Sequence, residues 1–185
     1  MPASRRPTRE ELDAAMGHTM PDLIGPGLRV LFCGINPSLY SVVVGYHFAR
    51  PGNRFWPTMH QSGFTPRQLS PSEQGALLGF GLGITNVVDR ATATADQLDD
   101  SELRAGAKSL EDKVRRHRPR FLAVLGVGAY RTAFARPKAK LGLQPETLGA
   151  TRLWVLPNPS GLNAHYQLPD LARLFAQLRH AADEA

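Results

Sequence analysis

Four short apolar runs, each broken off by a loop rich in glycine, asparagine, proline or charge, constrain this chain more than any other feature. They are Leu28 to Cys33, Leu82 to Val88, Phe121 to Leu125 and Leu153 to Leu156. None alternates cleanly between apolar and polar residues, as a half-exposed strand would. Continuous Val, Ile, Leu and Phe belong to strands covered by helices on both faces. The segments between them carry helix-end chemistry. Thr8 and Glu11 stand in capping-box spacing ahead of Gly17, and Ser70-Pro71-Ser72-Glu73 combines a cap, a proline and a glutamate before a helix ending near Gly79. Ser101 to His117 sets Leu103, Ala107, Leu110 and Val114 on one helical face, and Ala129 to Ala135 and Pro169 to Ala182 complete the set. Thr147-Leu148, the turn Gly149-Ala150 and the last run have the pattern of an antiparallel hairpin at one sheet edge. The expected fold is α/β: a three-layer α/β/α sandwich with a mainly parallel central sheet. Residues 1–185 are expected to form one domain, with residues 1–25 as a helical arm packed on it.

Composition agrees and narrows the class. Seventeen glycines and 15 prolines in 185 residues exceed their usual share of roughly 12%, which implies many shaped loops. The 42% hydrophobic content still supports an ordinary core, so a disordered chain or coiled coil is excluded. One cysteine makes neither an internal disulfide nor a four-cysteine metal site, and a cytoplasmic location is expected. No apolar run approaches the ~20 residues that span a bilayer. The N-terminus, with Arg5, Arg6 and Arg9 followed by Glu10, Glu11 and Asp13, lacks the apolar stretch of a signal peptide. A net charge of +6 permits a nucleic-acid partner without requiring one.

In open parallel sheets, ligands bind beyond the carboxyl ends of the strands. The first run opens into Gly34-Ile35-Asn36-Pro37-Ser38, the second into Asp89-Arg90, the third into Gly126-Val127-Gly128 and the fourth into Pro157-Asn158-Pro159-Ser160-Gly161-Leu162. Two of these loops carry Asn-Pro-Ser, and a following proline restricts the asparagine backbone, so its amide is aimed at little entropic cost. The same residue types also fill plain turns. Between Gly45 and Trp56, aromatics, arginines and flexible residues concentrate. Phe55 and Trp56 read as core residues of a helix capped by Asn53. Phe48, bracketed by loop residues, is the candidate for stacking on an unpaired base.

This constellation resembles the mismatch-specific uracil-DNA glycosylases, bacterial relatives of thymine-DNA glycosylase. The resemblance rests on Gly34-Ile35-Asn36-Pro37-Ser38, on Phe48-Ala49 with Pro51 and Asn53-Arg54-Phe55-Trp56, on Thr85 with Val88-Asp89-Arg90, and on Trp154 through Leu162. It implies a uracil-DNA glycosylase-like fold and hydrolysis of the bond joining uracil to deoxyribose in duplex DNA with G·U or G·T mismatches. It further implies that Asn36 positions the attacking water, that backbone groups near Ile35 and Phe48 read the uracil edge, and that Ser41 lines the pocket. Leu162, beside Ser160 and flexible Gly161, matches the residue wedged into the vacated stack. Asparagine is no proton acceptor at neutral pH, so it orients water rather than deprotonating it. Asn158 is the second candidate to hold water or line the pocket.

Asp89 either activates water or stabilises the sugar cation, or else is a loop cap or a partner of Arg90. Cys33 reads as a small buried hydrophobe, and the histidines show no metal spacing. Gly126-Val127-Gly128 lacks the further glycine and acidic residue of a dinucleotide site. Lys113, Arg115, Arg116, Arg118 and Arg120 crowd one helix end, where cations suit the helix dipole regardless of DNA. Arg136, Lys138 and Lys140 are the expected phosphate contacts. Asn163 and Ala164 follow Leu162 where relatives carry a basic residue, so weaker dependence on the opposing guanine is expected. The leading expectation is a monomeric, monofunctional glycosylase needing no metal or cofactor. The competitors are a DNA module that binds damage or mismatches without cleaving, and a small-molecule enzyme, which would need a phosphate loop.

Overall fold

The structure, a computed structural model, describes residues 5–185, so residues 1–4 of the expected arm lie outside the described residues. Five strands make one sheet: β1 (Val30–Gly34), β2 (Leu82–Asn86), β3 (Phe121–Leu125), β4 (Gly142–Leu148) and β5 (Thr151–Leu156). Their order is β2-β1-β3-β5-β4, parallel throughout except for β4 at the edge. The expected α/β class and mainly parallel sheet are therefore the observed ones. Successive residues of a strand face opposite layers. Phe32, Ala123 and Trp154 enter one core while Leu31, Leu122 and Leu153 enter the other, which is why the runs show no polar alternation.

Among the described residues six α-helices surround the sheet: α1 (Arg9–Ala14), α2 (Leu39–Val44), α3 (Phe55–Gln61), α4 (Asp100–His117), α5 (Val127–Ala133) and α6 (Leu168–Glu184). Phe55, Trp56 and Met59 of α3 and Leu171, Phe175 and Leu178 of α6 fill the first core, where Phe32 meets the Phe55 ring edge-on at 5.6 Å. Ala107, Leu110 and Val114 of α4 and Tyr130 of α5 fill the second. Leu12 of α1 packs with Leu39 and Val42 of α2 in a smaller cluster.

Some elements differ from expectation for identifiable reasons. The segment Pro71–Phe80 keeps the Ser70–Glu73 capping box but winds as a 3-10 helix. Gly75 and Gly79 weaken the α-form, and Leu77 is its one buried residue. The edge hairpin is longer than expected because β4 starts at Gly142, with an irregular register between Leu143 and Thr147 where Pro145 sits. Helix α2 was hidden by Val42, Val43 and Val44, although Ser38 caps its start and Gly45 (φ 81°) stops it.

Packing of α4 on the loop after β2 is tight at Gly106, where an added Cβ would lie 2.2 Å from the Val87 carbonyl oxygen. Gly106→Ala gains about 1 kcal/mol of helix propensity but forces an overlap with backbone costing about 3 kcal/mol. The overlap wins by about 2 kcal/mol, a fall in Tm of about 4–8 °C by thermal denaturation.

Candidate functional site

The chain passes from β1 outward to β2 on one side and then to β3 on the other, so the crevice beyond their carboxyl ends is the switch point of the sheet. A cavity of about 110 Å³ opens there. It is much smaller than the ~300–1,000 Å³ that holds a drug-sized ligand, and suits one small ring. The expected residues Ile35, Asn36, Ser41, Phe48 and Asn158 all line it, and Ser160 and Leu162 stand at its border.

Asn36 is aimed by its neighbours. Its Nδ2 donates to the Arg90 carbonyl at 2.9 Å and to Thr92 Oγ1 at 2.8 Å. Thr92 gives its own hydroxyl proton to the Thr94 carbonyl, so both groups facing Nδ2 are acceptors and the amide orientation is determined. Both Asn36 donors are spent, and Oδ1 is left as an acceptor beside the cavity. Arg90 holds the supporting loop by pairing with Glu102 on α4, and this bond keeps the Glu102 carboxyl below its usual range.

Phe48 adopts φ 53°, a conformation that costs a bulky residue energy and therefore must be imposed by its surroundings. The flanking residues are pinned. The His47 N–H donates to Gln74 at 2.8 Å, and the His47 carbonyl accepts from Trp56 Nε1 at 3.0 Å. The Ala49 N–H donates to Ser41 Oγ at 3.2 Å. Phe55 stacks on one face of the Phe48 ring with centroids 4.1 Å apart, leaving the other face for the cavity. Ser41 Oγ also accepts from Ser38, so the Ser41 proton is free to be donated. Among the described residues the Ile35 and Phe48 N–H groups find no acceptor.

Sequence reasoning missed Asn86. It ends β2, is buried, and lines the cavity. Its Oδ1 and the Phe48 ring both press on Gly34, where a Cβ would lie 2.6 Å from the oxygen and 3.3 Å from Phe48 Cε1. Neither end of the Asn86 amide is paired within the described residues. Since the residue lines the cavity, its amide donor and acceptor are available to a ligand there. The available signal was its place between Thr85 and Val88, two residues already singled out.

The loop after β5 is built from side-chain-to-backbone turns. Asn158 Oδ1 accepts from the Ser160 N–H at 2.9 Å, and Ser160 Oγ accepts from the Leu162 N–H at 3.2 Å. The Asn158 carbonyl oxygen of its amide is thus committed to the turn. Gly161 touches the backbone of Gly52, which leaves no room for a Cβ. Leu162 projects from this loop, 65% exposed, and exceeds the other exposed large apolar residues.

Other candidates lie elsewhere. Asp89 is exposed and outside the cavity lining, and Arg90 pairs with Glu102 rather than with it. Arg136, Lys138 and Lys140 lie between α5 and β4, away from the cavity, and Arg136 is bound to Glu146 at 2.7 Å. Because β4 runs antiparallel, Lys140 nevertheless precedes a strand that starts at the same sheet edge as the cavity. Burial pushes the Cys33 thiol up, so it is no thiolate nucleophile. Burial likewise pushes His47 below its ordinary value, and its Nε2 is bonded to the Pro21 carbonyl at 2.9 Å.

The molecule is a three-layer α/β/α protein with an amide-lined cavity at the switch point of its sheet. A family model for the Uracil DNA glycosylase superfamily matches residues 21–180, and the chain belongs to that superfamily. The fold is also similar to the solution NMR structure of a Methanosarcina acetivorans protein described as a candidate uracil DNA glycosylase. The two share 17% identity and a TM-score of 0.60, over 89% of this chain and 99% of that one.

Proposed function

We propose that this chain is a mismatch-directed DNA glycosylase that flips uracil, and also thymine or related damaged bases, out of G·U or G·T duplexes. It hydrolyses the N-glycosidic bond and leaves an abasic site. The observation that carries the reading is the Asn36 amide on the cavity wall, whose two donors are spent on Arg90 and Thr92 so that Oδ1 is the atom left free to accept. An acceptor there accepts a hydrogen bond from the water and so turns the water's lone pair toward the sugar. Water oxygen bonds to C1′ as the C1′–N1 bond breaks, the electron pair leaves on the base, and the water proton passes to solvent.

Because Asn36 is no base, leaving-group stabilisation carries the rate. Asn86 supports this part. An amide presents a donor and an acceptor side by side, the complement of the O4 and N3–H edge of uracil. The unpaired Ile35 and Phe48 N–H groups and the Ser41 hydroxyl are further donors for charge developing on the base. Phe48 supplies the stacking face, worth about 1–3 kcal/mol. Opening a mismatch costs less than opening a proper pair, and an apolar wedge offsets the rest.

The test is alkali treatment of a duplex carrying one G·U pair after incubation with the protein. Strand scission at the uracil, absent from the G·C duplex, supports the reading; tight G·U binding without scission would transfer it to a non-cleaving mismatch binder. Leu162→Ala removes an exposed side chain, so Tm should move by less than about 1–2 °C. Single-turnover excision from the G·U duplex should nevertheless fall about tenfold or more, since the wedge offsets a few kcal/mol of unstacking.

A further inference from the structure

Arg54 has no role in the site described above, yet it makes the densest set of contacts in the loop that carries Leu162. Its guanidinium donates to the Ser160 carbonyl at 2.6 Å, to the Asn163 carbonyl at 2.9 Å and to the Tyr166 carbonyl. Its own N–H donates to the Pro159 carbonyl at 2.9 Å. These four acceptors bracket Leu162 on both sides. A guanidinium is a rigid fork whose donors point in set directions, so one side chain holds several carbonyls in a single arrangement. The charge finds no carboxylate among the described residues, and Nε is buried without a partner. The loop carbonyls are what compensate this partly buried cation, and movement of the loop would strip it of them. Nearby, the contact of Gly161 with the Gly52 carbonyl fixes the same two segments against each other.

We propose that Arg54 is the positioning residue of the wedge: it holds residues 159–166 so that Leu162 stands rigid over the cavity before DNA arrives. This rests on reading Leu162 as the wedge. A preorganised wedge spends no binding energy on ordering itself, so the effect of Arg54 runs through Leu162 and disappears when Leu162 is gone.

The experiment is a double-mutant cycle in single-turnover excision from a G·U duplex, with Arg54→Ala, Leu162→Ala and both together. Arg54→Ala alone should slow excision by about 10- to 100-fold, the scale of an ångström-level misplacement. In the Leu162→Ala background it should add less than about twofold, because coupled residues are non-additive. Equal losses in both backgrounds would show a general structural role and overturn the proposal. Hydrogen exchange of the Leu162 and Asn163 amides, read without any substrate, should speed up in Arg54→Ala and not in Leu162→Ala. Unchanged exchange would also overturn it. If Leu162→Ala leaves duplex excision unchanged, the wedge reading fails. If Leu162→Ala is slow and Arg54→Ala is not, only the role of Arg54 fails. Should Arg54→Ala not fold by thermal melting, Arg54→Lys, which keeps the charge but loses the fork, carries the same cycle and exchange measurement.

Discussion

Asn36→Ala is expected to lower single-turnover excision of uracil by about 10²-fold or more while leaving the protein folded. The rate effect follows from losing the one acceptor that holds water against the sugar, since misplacing a reacting group by an ångström costs about 10²-fold. The stability effect is separate and smaller. Two hydrogen bonds disappear, to Arg90 and Thr92, each worth about 1 kcal/mol net. Affinity for the G·U duplex should stay within a few-fold of wild type, because Asn36 acts on the water rather than on the base. Asn36→Asp should not restore the rate. A carboxylate has no donor for the Arg90 carbonyl or for Thr92 Oγ1, whose proton already goes to Thr94, so the aimed oxygen swings out of line. An Asn36→Asp enzyme as fast as wild type would mean that amide orientation is not what Asn36 contributes.

Gly34→Ala is expected to weaken capture of the flipped base without disturbing the rest of the protein–DNA contact. The new methyl carbon would lie 2.6 Å from Asn86 Oδ1 and 3.3 Å from Phe48 Cε1. Both are cavity walls, so it displaces the edge reader and the stacking face together. Phe48 is poorly able to give way, being held at φ 53° by anchored neighbours and backed by Phe55. Overpacking of this kind costs about 1–3 kcal/mol, which at 1.4 kcal/mol per tenfold is about a 5- to 150-fold loss in affinity. The measurement is binding to a duplex with a hydrolysis-resistant 2′-fluorodeoxyuridine opposite guanine, compared with a G·C duplex. The G·U-specific increment should shrink and the background affinity should not. Equal losses on both duplexes would place the defect outside the base cavity.

Much of this was legible because it depends on local chemistry. Strands buried on both faces announce themselves as continuous apolar runs. Asn36 and Asn158 stood out because two Asn-Pro-Ser loops follow strands that end on one sheet edge, and Leu162 stood out through the resemblance, at the position of the family's wedge. What escaped depends on contacts across the fold. Asn86 looks like any asparagine ending a strand until Gly34 and Phe48 are seen packed beside it. Arg54 reads as one more loop cation, because its partners are backbone carbonyls more than a hundred positions away, which carry no side-chain signature. Adjacent charge misled in the opposite direction. Asp89 and Arg90 are neighbours in sequence, yet Arg90 turns to Glu102 and Asp89 is left in solvent. The basic run at the end of α4 follows the helix dipole: Arg115, Arg116 and His117 occupy its last turn.

Whether the chain breaks a glycosidic bond is decided by weighing what it releases. A duplex with a single G·U pair, incubated with excess protein, should yield free uracil by mass spectrometry in step with abasic sites, one base per duplex at completion. Intact uracil-containing strands recovered from a saturated, G·U-selective complex would contradict the glycosylase reading.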